Sequence, residues 1–180
     1  MVYLYYTGSE NPNESQTEIQ KSLGGFISST LIPNSSINSI FRDDSQFSKN
    51  KDTSEIICIA IKNESSEDLQ DFTFYIDKIS EDFIVEAAFV KPSSDNCGNL
   101  FFEKLKTQEH KPYYANFENV TGQDNAINIG KFTAKSFLGL FISKKINKSI
   151  SNNSQCKAID FQNLTEEQKV ESIDFVFSWE

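Results

Sequence analysis

Apolar residues in the second part of the chain fall into short runs separated by turn-rich segments. The run "EIICIAIKN" at 55–63 is apolar at consecutive positions, which is typical of a central strand covered on both faces. In "DFTFYID" at 71–77, large apolar residues alternate with Thr73, Tyr75 and Asp77, and "EDFIVEAAFVK" at 81–91 places Phe83, Val85, Ala87 and Phe89 on one side and Glu86 on the other. Such alternation predicts strands with one buried face, although a helix is the competing interpretation of 81–91.

Three later runs, "INIGKFTA" at 127–134, "KSFLGLFISKKI" at 135–146 and "SIDFVFSWE" at 172–180, also predict strands. A capping-box pattern, Thr165 with Gln168, predicts one short helical turn before the last of them. Short strands at this spacing indicate an all-β fold. We predict an antiparallel β-sandwich or jelly-roll-like domain over residues 54–180.

The first part of the chain has a different pattern. The run "VYLYY" at 2–6 predicts a short strand that ends at Thr7-Gly8, and a polar, acidic tether follows it. In "KSLGGFISSTLIPN" at 21–34, adjacent glycines would weaken a helix or a strand, so we expect no regular element there. Residues 7–53 therefore show little regular structure, and a loop of that length in a compact domain is normally functional or is ordered by another surface.

We therefore predict that residues 1–53 form a strand and an extended docking arm that lies on a neighbouring molecule. The paired glycines would let the backbone approach that molecule closely, and the flanking apolar side chains would fill its pockets. The alternative is a long loop folded back over the chain's own sandwich. The predicted interface consists of Leu23, Gly24, Gly25, Phe26, Ile27, Leu31, Ile32, Phe41 and Arg42.

Composition narrows the classes of function. The chain has 180 residues, 16 of them Phe, and a formal net charge of −9. Such an acidic chain, with Arg42 as its only arginine, is not expected to bind nucleic acid directly. The three cysteines are widely spaced, which favours free thiols in a reducing compartment. No apolar run reaches the length of a membrane span and no signal peptide is evident, so we expect no membrane partner.

Candidate chemistry is sparse. His110 is the only histidine and has no surrounding nucleophile motif, so we expect it to be a solvated loop residue. One histidine and scattered cysteines do not suit zinc, and the acidic turns "FRDDSQ" and "SSDNCGN" lack the spacing of an EF-hand loop. The sequence therefore predicts no enzyme, no catalytic residue, no cofactor and no metal site.

Two rival functions remain open. Tyr113, Tyr114 and Phe117 lie together in a long loop and could stack on sugar rings, as in a lectin-like attachment module. A glycosidase would instead need two carboxylates facing each other across a cleft. The acids available for such a pair are Glu81, Asp82, Glu86 and Glu103.

The segment "LYYTGSENPNESQTEIQKSLGGFISSTLIPNSSINSIF" at 4–41 resembles the opening of small β-rich virion structural proteins of tailed bacteriophages, including the crAss-like group. Those proteins carry L-Y-Y-T-G followed by S-L-G-G-[FY]-I-S-S-T-x-[IL]-P-N. The later "IICIAIKNES" and "IGKFTAKSFLGLFISKK" are also similar to them, although Lys144 and Lys145 stand where many relatives have arginine.

The resemblance implies a structural component of the phage particle without an active site, so no catalytic residue carries over. The implied partners are neighbouring capsid, neck or tail proteins and further copies of the chain in a symmetric assembly. The implied location is the virion, assembled in the host cytoplasm.

Overall fold

The computed structural model of the protein describes residues 1–33, 40–41, 54–77, 79, 83–147 and 175–180. These residues form an all-β, sandwich-like fold of two antiparallel sheets, which confirms the predicted fold class. The only helical elements among them are two 3₁₀ turns, Ile19–Lys21 and Gln123–Asn125.

The strands of the described residues are short and follow one another closely. In chain order they are β1 (Val2–Ser9), β2 (Gly25–Leu31), β3 (Ser54–Asn63), β4 (Thr73–Ile76), β5 (Phe83–Val90), β6 (Ser93–Ser94), β7 (Leu100–Phe102), β8 (Glu118–Asn119), β9 (Ile127–Asn128), β10 (Phe137–Ile146) and β11 (Phe175–Ser178). An eight-stranded sheet has the order β6-β7-β2-β1-β3-β10-β5-β8, and a three-stranded sheet has the order β11-β4-β9.

The first hydrophobic core fills the space between the two sheets. Because successive side chains of a strand point to opposite faces, every second residue of each central strand reaches this core. Ile57, Ile59 and Ile61 of β3 pack there with Phe74 and Ile76 of β4. Phe72, Phe74 and Ile76 are fully buried, as the alternation at 71–77 predicts.

A second hydrophobic core covers the opposite face of the large sheet. Ile56 and Cys58 of β3 and Phe141 of β10 are buried there beneath Phe102 and Leu105. Strand β3 is therefore covered on both faces, as its continuous apolar run predicts. Strand β10 also has a buried residue on each face, since Leu140 packs in the first core and Phe141 in the second.

Most strand predictions in the second part of the chain are confirmed. The segment 81–91 forms β5 rather than a helix, and 135–146 forms β10. The segment 127–134 is regular only at Ile127–Asn128, because the backbone turns at Gly130 with φ +67°. The end of the chain forms β11 at Phe175–Ser178. Thr165 and Gln168 lie outside the described residues.

The prediction that 21–34 contains no regular element is wrong. Gly25–Leu31 forms β2, which lies between β1 and β7 in the large sheet. The glycines stand at the start of this strand with φ +84° at Gly24 and +79° at Gly25. They allow the entry turn, while pairing on both sides compensates for their conformational freedom. A Cβ at Gly24 would lie 1.9 Å from the carbonyl oxygen of Glu103.

A buried hydrogen-bond network fixes the approach to β2. The Thr7 hydroxyl donates to the Cys58 carbonyl oxygen at 2.7 Å and accepts from the Gly24 N–H at 3.1 Å. The Cys58 N–H donates to the Ser22 carbonyl oxygen at 2.7 Å. Residues 22–24 are therefore held on β1 and β3 of their own chain. The surface that the paired glycines approach belongs to the same molecule.

These contacts correct the expectation of a separate docking arm. Strand β1 pairs with β3 from Val2 opposite Asn63 to Tyr5 opposite Ala60, so one sheet spans the proposed boundary at residues 53 and 54. The alternative, a segment folded onto its own sheets, describes residues 1–33 better. They are ordered by neighbours in the same sheet.

The predicted interface residues lie mainly inside the fold. Ile32 and Phe41 are buried in the first core, and Leu23 and Ile27 pack against the second. Phe26 makes an edge-to-face contact with Phe101, with ring centroids 5.9 Å apart. Leu31 is 43% exposed, whereas Arg42 lies outside the described residues.

We expect Gly24→Ala to destabilise the protein strongly, because the added Cβ meets a backbone carbonyl and the residue must keep a positive φ. The free energy of unfolding should fall by about 3 kcal/mol or more. Urea unfolding followed by circular dichroism measures this change.

Gly98→Ala is the matched control. Gly98 also has a positive φ, +81°, but nothing lies within 4 Å of the place that an added Cβ would take. This control should cost only about 1 kcal/mol, the penalty of the backbone conformation alone. Equal losses in the two variants would contradict the close approach of Gly24 to Glu103.

Candidate functional site

The most prominent exposed apolar feature of the described residues is a pair of adjacent tyrosines, which we call the tyrosine ridge. Tyr113 is 84% exposed and Tyr114 is 88% exposed. Their ring centroids are 4.8 Å apart and their planes meet at 86°. Large aromatic side chains displayed to solvent in this way are typical of contact surfaces.

The ridge stands on the 103–117 loop, which connects β7 to β8 and is fixed to the sheet along its first half. The Leu105 N–H donates to the Leu23 carbonyl oxygen at 2.7 Å, and the Leu105 side chain is buried in the second core. The Ile56 N–H donates to the Gln108 carbonyl oxygen at 2.8 Å. The Gln108 side-chain amide donates to Glu55 at 3.0 Å. The loop is long but is bound to its own domain.

The backbone immediately below the ridge is also anchored. Pro112 is buried, although both of its neighbours in the chain are exposed. The Tyr113 N–H donates to the two carboxylate oxygens of Glu103, at 3.1 and 3.3 Å. The Tyr rings therefore rise from a fixed backbone, and binding through them requires little further ordering of the chain.

An ion-pair clamp ties the second half of the loop to the large sheet. The Glu86 carboxylate on β5 accepts from Lys111 Nζ at 2.8 Å and from Lys145 Nζ at 2.7 Å. Lys111 Nζ also lies 4.6 Å from the centre of the Phe117 ring. One carboxylate thereby joins the loop to both β5 and β10. We call Glu86, Lys111, Lys145 and Phe117 the loop clamp.

The clamp sets the pKa of Glu86. Partial burial acts to raise the pKa of this carboxyl, whose side chain is 18% exposed. The hydrogen bonds from Lys111 and Lys145 act in the opposite direction and together prevail, so the pKa lies below its usual value. Glu86 is therefore ionised at neutral pH and holds both lysines.

The structure separates the aromatic residues that were predicted to bind sugar. Tyr113 and Tyr114 are exposed, whereas Phe117 is partly buried against the second core and is covered by Lys111. His110 is exposed in the same loop, with its Nδ1 2.6 Å from the Thr107 hydroxyl oxygen. Of the three aromatic residues of this loop, Tyr113 and Tyr114 remain available to a ligand.

The two candidate acids of a glycosidase that the structure describes, Glu86 and Glu103, do not form a free pair. Glu86 is engaged by two lysines, and Glu103 accepts the Tyr113 N–H. Both carboxylates therefore support the loop. Glu81 and Asp82 lie outside the described residues.

The cysteines and possible metal ligands of the described residues form no second candidate functional site. Burial raises the pKa of the Cys58 thiol far above its usual range. Cys97 is a free, exposed thiol, and Cys156 lies outside the described residues. Among the residues that the structure describes, no group of three or more His, Cys, Asp or Glu side chains is arranged to hold a metal ion.

Of the two acidic turns that were considered as calcium sites, the structure describes one in full. In "SSDNCGN", the Asp95 carboxylate accepts the N–H groups of Cys97 and Asn99 at 2.8 Å each. The hydrogen bond from the Asn99 side chain, together with these backbone bonds, holds the pKa of Asp95 below its usual value. This carboxylate serves its own turn. Residues 42–46 of "FRDDSQ" lie outside the described residues.

Comparisons of the chain with protein-family models, curated proteins and solved structures give no match. Within the described ranges, no helix has the length and apolar character needed to cross a membrane. The geometry of the tyrosine ridge and its supports is therefore the basis for a functional interpretation.

We expect Glu86→Gln to lower the free energy of unfolding by about 1 kcal/mol near pH 7, because the amide cannot hold two lysines by charge. Since the pKa of Glu86 is lower in the folded chain than in the unfolded chain, its contribution is present above the unfolded pKa. It is lost as pH falls through the folded pKa. Thermal unfolding of wild type and variant should therefore converge in acid.

Glu118→Gln serves as the control, since Glu118 is an exposed carboxylate on the adjacent strand β8. Removing this exposed charge should change the free energy of unfolding by less than about 0.5 kcal/mol near pH 7. A Glu86→Gln variant whose deficit persists unchanged at about pH 2 would contradict the role of charge in the clamp.

Proposed function

We propose that this chain is a non-enzymatic structural component of a tailed-phage particle of the crAss-like group. It assembles with further copies of itself and with neighbouring capsid, neck or tail proteins. The site of action is then the virion, assembled in the host cytoplasm, and the tyrosine ridge is the contact surface. Neither nucleic acid nor a membrane is a direct partner in this proposal.

The observation that carries the proposal is the exposure of two adjacent tyrosine rings on an anchored backbone. Tyrosine is enriched at protein interfaces because it combines apolar area with a hydroxyl group and has few rotatable bonds. Aromatic residues of this kind often dominate the binding free energy of an interface. The ridge suits recognition of another surface better than catalysis.

The short edge strands of the large sheet favour contacts with other molecules through side chains rather than through pairing of strands. Its edge strands among the described residues, β6 and β8, have two residues each, and all four residues are exposed. Short edge strands offer little template for open-ended pairing between sheets. A component of an ordered assembly needs such protection at high local concentration.

The resemblance to virion proteins supports the proposal through the fold. The motif "LYYTG" lies in β1 and "SLGG" leads into β2. Thr7 of the first motif bonds to Gly24 of the second, so the two motifs meet in space. Residues of this pattern are needed for the same local structure, and a shared pattern favours a shared fold.

A double substitution of the ridge, Tyr113→Ser with Tyr114→Ser, tests the proposal. Both side chains are exposed, so we expect the free energy of unfolding to change by less than about 0.5 kcal/mol each. We expect incorporation into purified phage particles to fall by about tenfold or more, because interface aromatics carry much of the binding free energy. Quantitative mass spectrometry of the particles measures this loss.

A control on the same loop is Lys106→Ala with Glu109→Ala, which removes two exposed charged side chains. It should be incorporated at the wild-type level. Absence of the wild-type chain from purified particles would refute the virion role itself. Normal incorporation of the double tyrosine variant would refute only the ridge as its contact.

Attachment to a carbohydrate is the second candidate, and the same exposed rings favour it. A sugar ring stacks on an exposed aromatic face, and the perpendicular rings of Tyr113 and Tyr114 present two faces in different directions. Such a ridge fits a polysaccharide that turns along its length.

If a glycan is the ligand, Tyr113→Ala or Tyr114→Ala should abolish binding to a glycan array, since each removes one stacking face. His110→Ala, another exposed change in the loop, should leave binding intact. An array without signal for the wild-type chain would exclude this candidate.

A further inference from the structure

Apart from Leu31 on β2, the large apolar side chains that are exposed on the described residues lie at two opposite ends of the large sheet. The tyrosine ridge stands on a loop that bonds to the start of β3 through the Ile56 N–H and the Gln108 carbonyl oxygen. Met1, 69% exposed, precedes β1 where that strand meets the end of β3, and Trp179, 44% exposed, lies at the same end. Because β3 has ten residues and is roughly 30 Å long, the two ends are well separated.

Hydrogen bonds fix Trp179 at its end of the fold. The side-chain amide of Asn63, the last residue of β3, donates to the Glu67 carbonyl oxygen at 3.0 Å. Further along this segment, Gln70 and Glu180 exchange two backbone hydrogen bonds of 3.0 and 3.1 Å. The exposed part of the tryptophan ring is therefore presented by an ordered backbone.

The two ends carry formal charges of opposite sign. Residues 103–117, which carry the ridge, include three lysines and two glutamates, in a chain whose net charge is −9. Residues 64–71 include four acidic residues and no basic one. Neighbouring lysines pair with two of these acids, whereas Glu67 and Asp71 are exposed, as is Glu180. We call Glu67, Asp71, Trp179 and Glu180 the acidic end.

We infer that the tyrosine ridge of one copy docks on the acidic end of the next copy, so that copies of this chain associate head to tail. The partner is a second copy because its acidic end complements both features of the ridge loop. Trp179 offers an aromatic surface to the tyrosine rings, and the carboxylates offer acceptors to the lysines and to the tyrosine hydroxyl groups. The inference names the partner of the ridge and rests on the homo-oligomeric part of the proposed function.

Charge disfavours a contact of ridge with ridge. Two copies of a chain with a net charge of −9 repel each other unless surfaces of opposite sign meet. A contact between two ridge loops would bring two positively charged segments together and would use none of the carboxylates of the acidic ends. A contact of ridge with acidic end brings together segments of opposite sign.

The two surfaces of one copy lie on opposite sides of the large sheet. The ridge loop covers the second core, in which its Leu105 side chain is buried. Trp179 stacks on Phe72 of the first core, with ring centroids 6.1 Å apart. A copy that is bound through its ridge therefore keeps its acidic end free for a third copy. Contacts of this type close into a ring or continue as a filament.

Two full-length variants, each lacking one of the two surfaces, test the inference. The ridge variant carries Tyr113→Ser with Tyr114→Ser. The end variant carries Glu67→Lys with Glu180→Lys, which reverses the charge of two exposed side chains and leaves the tryptophan in place. Sedimentation velocity over a range of concentrations measures the mass of the wild-type chain, of each variant and of an equimolar mixture of the two variants.

Head-to-tail docking predicts that the wild-type chain forms oligomers. Each variant alone should be monomeric at the same concentration, with association at least about tenfold weaker. The mixture should form dimers and nothing larger. In such a dimer, the intact ridge of the end variant binds the intact acidic end of the ridge variant, and the two altered surfaces block further growth.

Three results would each overturn the inference. They are a wild-type chain that stays monomeric at every concentration, an end variant that associates as the wild type does, and a mixture that gives no dimer. Circular dichroism establishes that each variant is folded. If the end variant unfolds, Glu67→Gln with Glu180→Gln removes the same charges without introducing lysine, and the same outcomes apply to it.

The matched control is Glu10→Lys with Asp124→Lys, which reverses two exposed acids outside the ridge loop and the acidic end. It changes the net charge by the same amount as the end variant does. It should associate at least as strongly as the wild type, because a smaller net charge reduces the repulsion between copies. Equal loss of association in the control and the end variant would contradict a specific role of the acidic end.

Failure of this inference is distinct from failure of the proposed function. A chain found in purified particles whose end variant associates normally would overturn the head-to-tail contact and leave the virion role intact. A chain absent from particles would refute the virion role, whatever sedimentation shows.

Discussion

One hydroxyl group, that of Thr7, connects the parts of this protein on which the candidate site depends. It joins β3 through the Cys58 carbonyl oxygen to the start of β2 through the Gly24 N–H. The neighbouring Leu23 carbonyl oxygen accepts the Leu105 N–H and so fixes the loop that displays the tyrosines. A buried hydroxyl with both bonds satisfied is stabilising, whereas its loss leaves two buried backbone groups without partners. The tyrosine ridge thus depends on a contact in the opposite part of the sequence.

The sequence predicts the central strands well because each has one simple pattern. The continuous apolar run of β3 predicts cover on both faces, and the alternation in β4 assigns Phe74 and Ile76 to one buried face. The pattern fails at β2, where local propensity and tertiary pairing disagree. Gly24 and Gly25 suggest a break in regular structure, yet β2 is paired with a strand on each side. The close approach of Gly24 to Glu103 leaves no room for a Cβ at that position. Pairing partners far along the chain are invisible to a local pattern.

Prediction of the candidate functional site from local sequence patterns has the same limit. The exposed tyrosines follow directly from the polar loop around them, but the supports of the ridge do not. Lys111 and Lys145 lie 25 and 59 positions from Glu86 in sequence, and no spacing rule connects them. Pro112 resembles an ordinary turn residue until the structure shows it buried. Glu86 is the charged position in an otherwise apolar β5, but nothing in the sequence predicted its two lysine partners. The fold was therefore more predictable than the rigidity of its loop.

The burial of Cys58 has a consequence for how this protein can be observed. Its thiol is shielded between β3, the Thr7 hydroxyl and the start of β2, and it stays protonated because burial raises its pKa. A protonated, inaccessible sulfur does not react with alkylating reagents, whereas Cys97 is open to them. The rate at which an alkylating reagent labels Cys58 therefore reports how often the second core opens, and no engineered cysteine is needed. Cys58 is thus a native reporter of local opening at the point where β1, β3 and the start of β2 are joined.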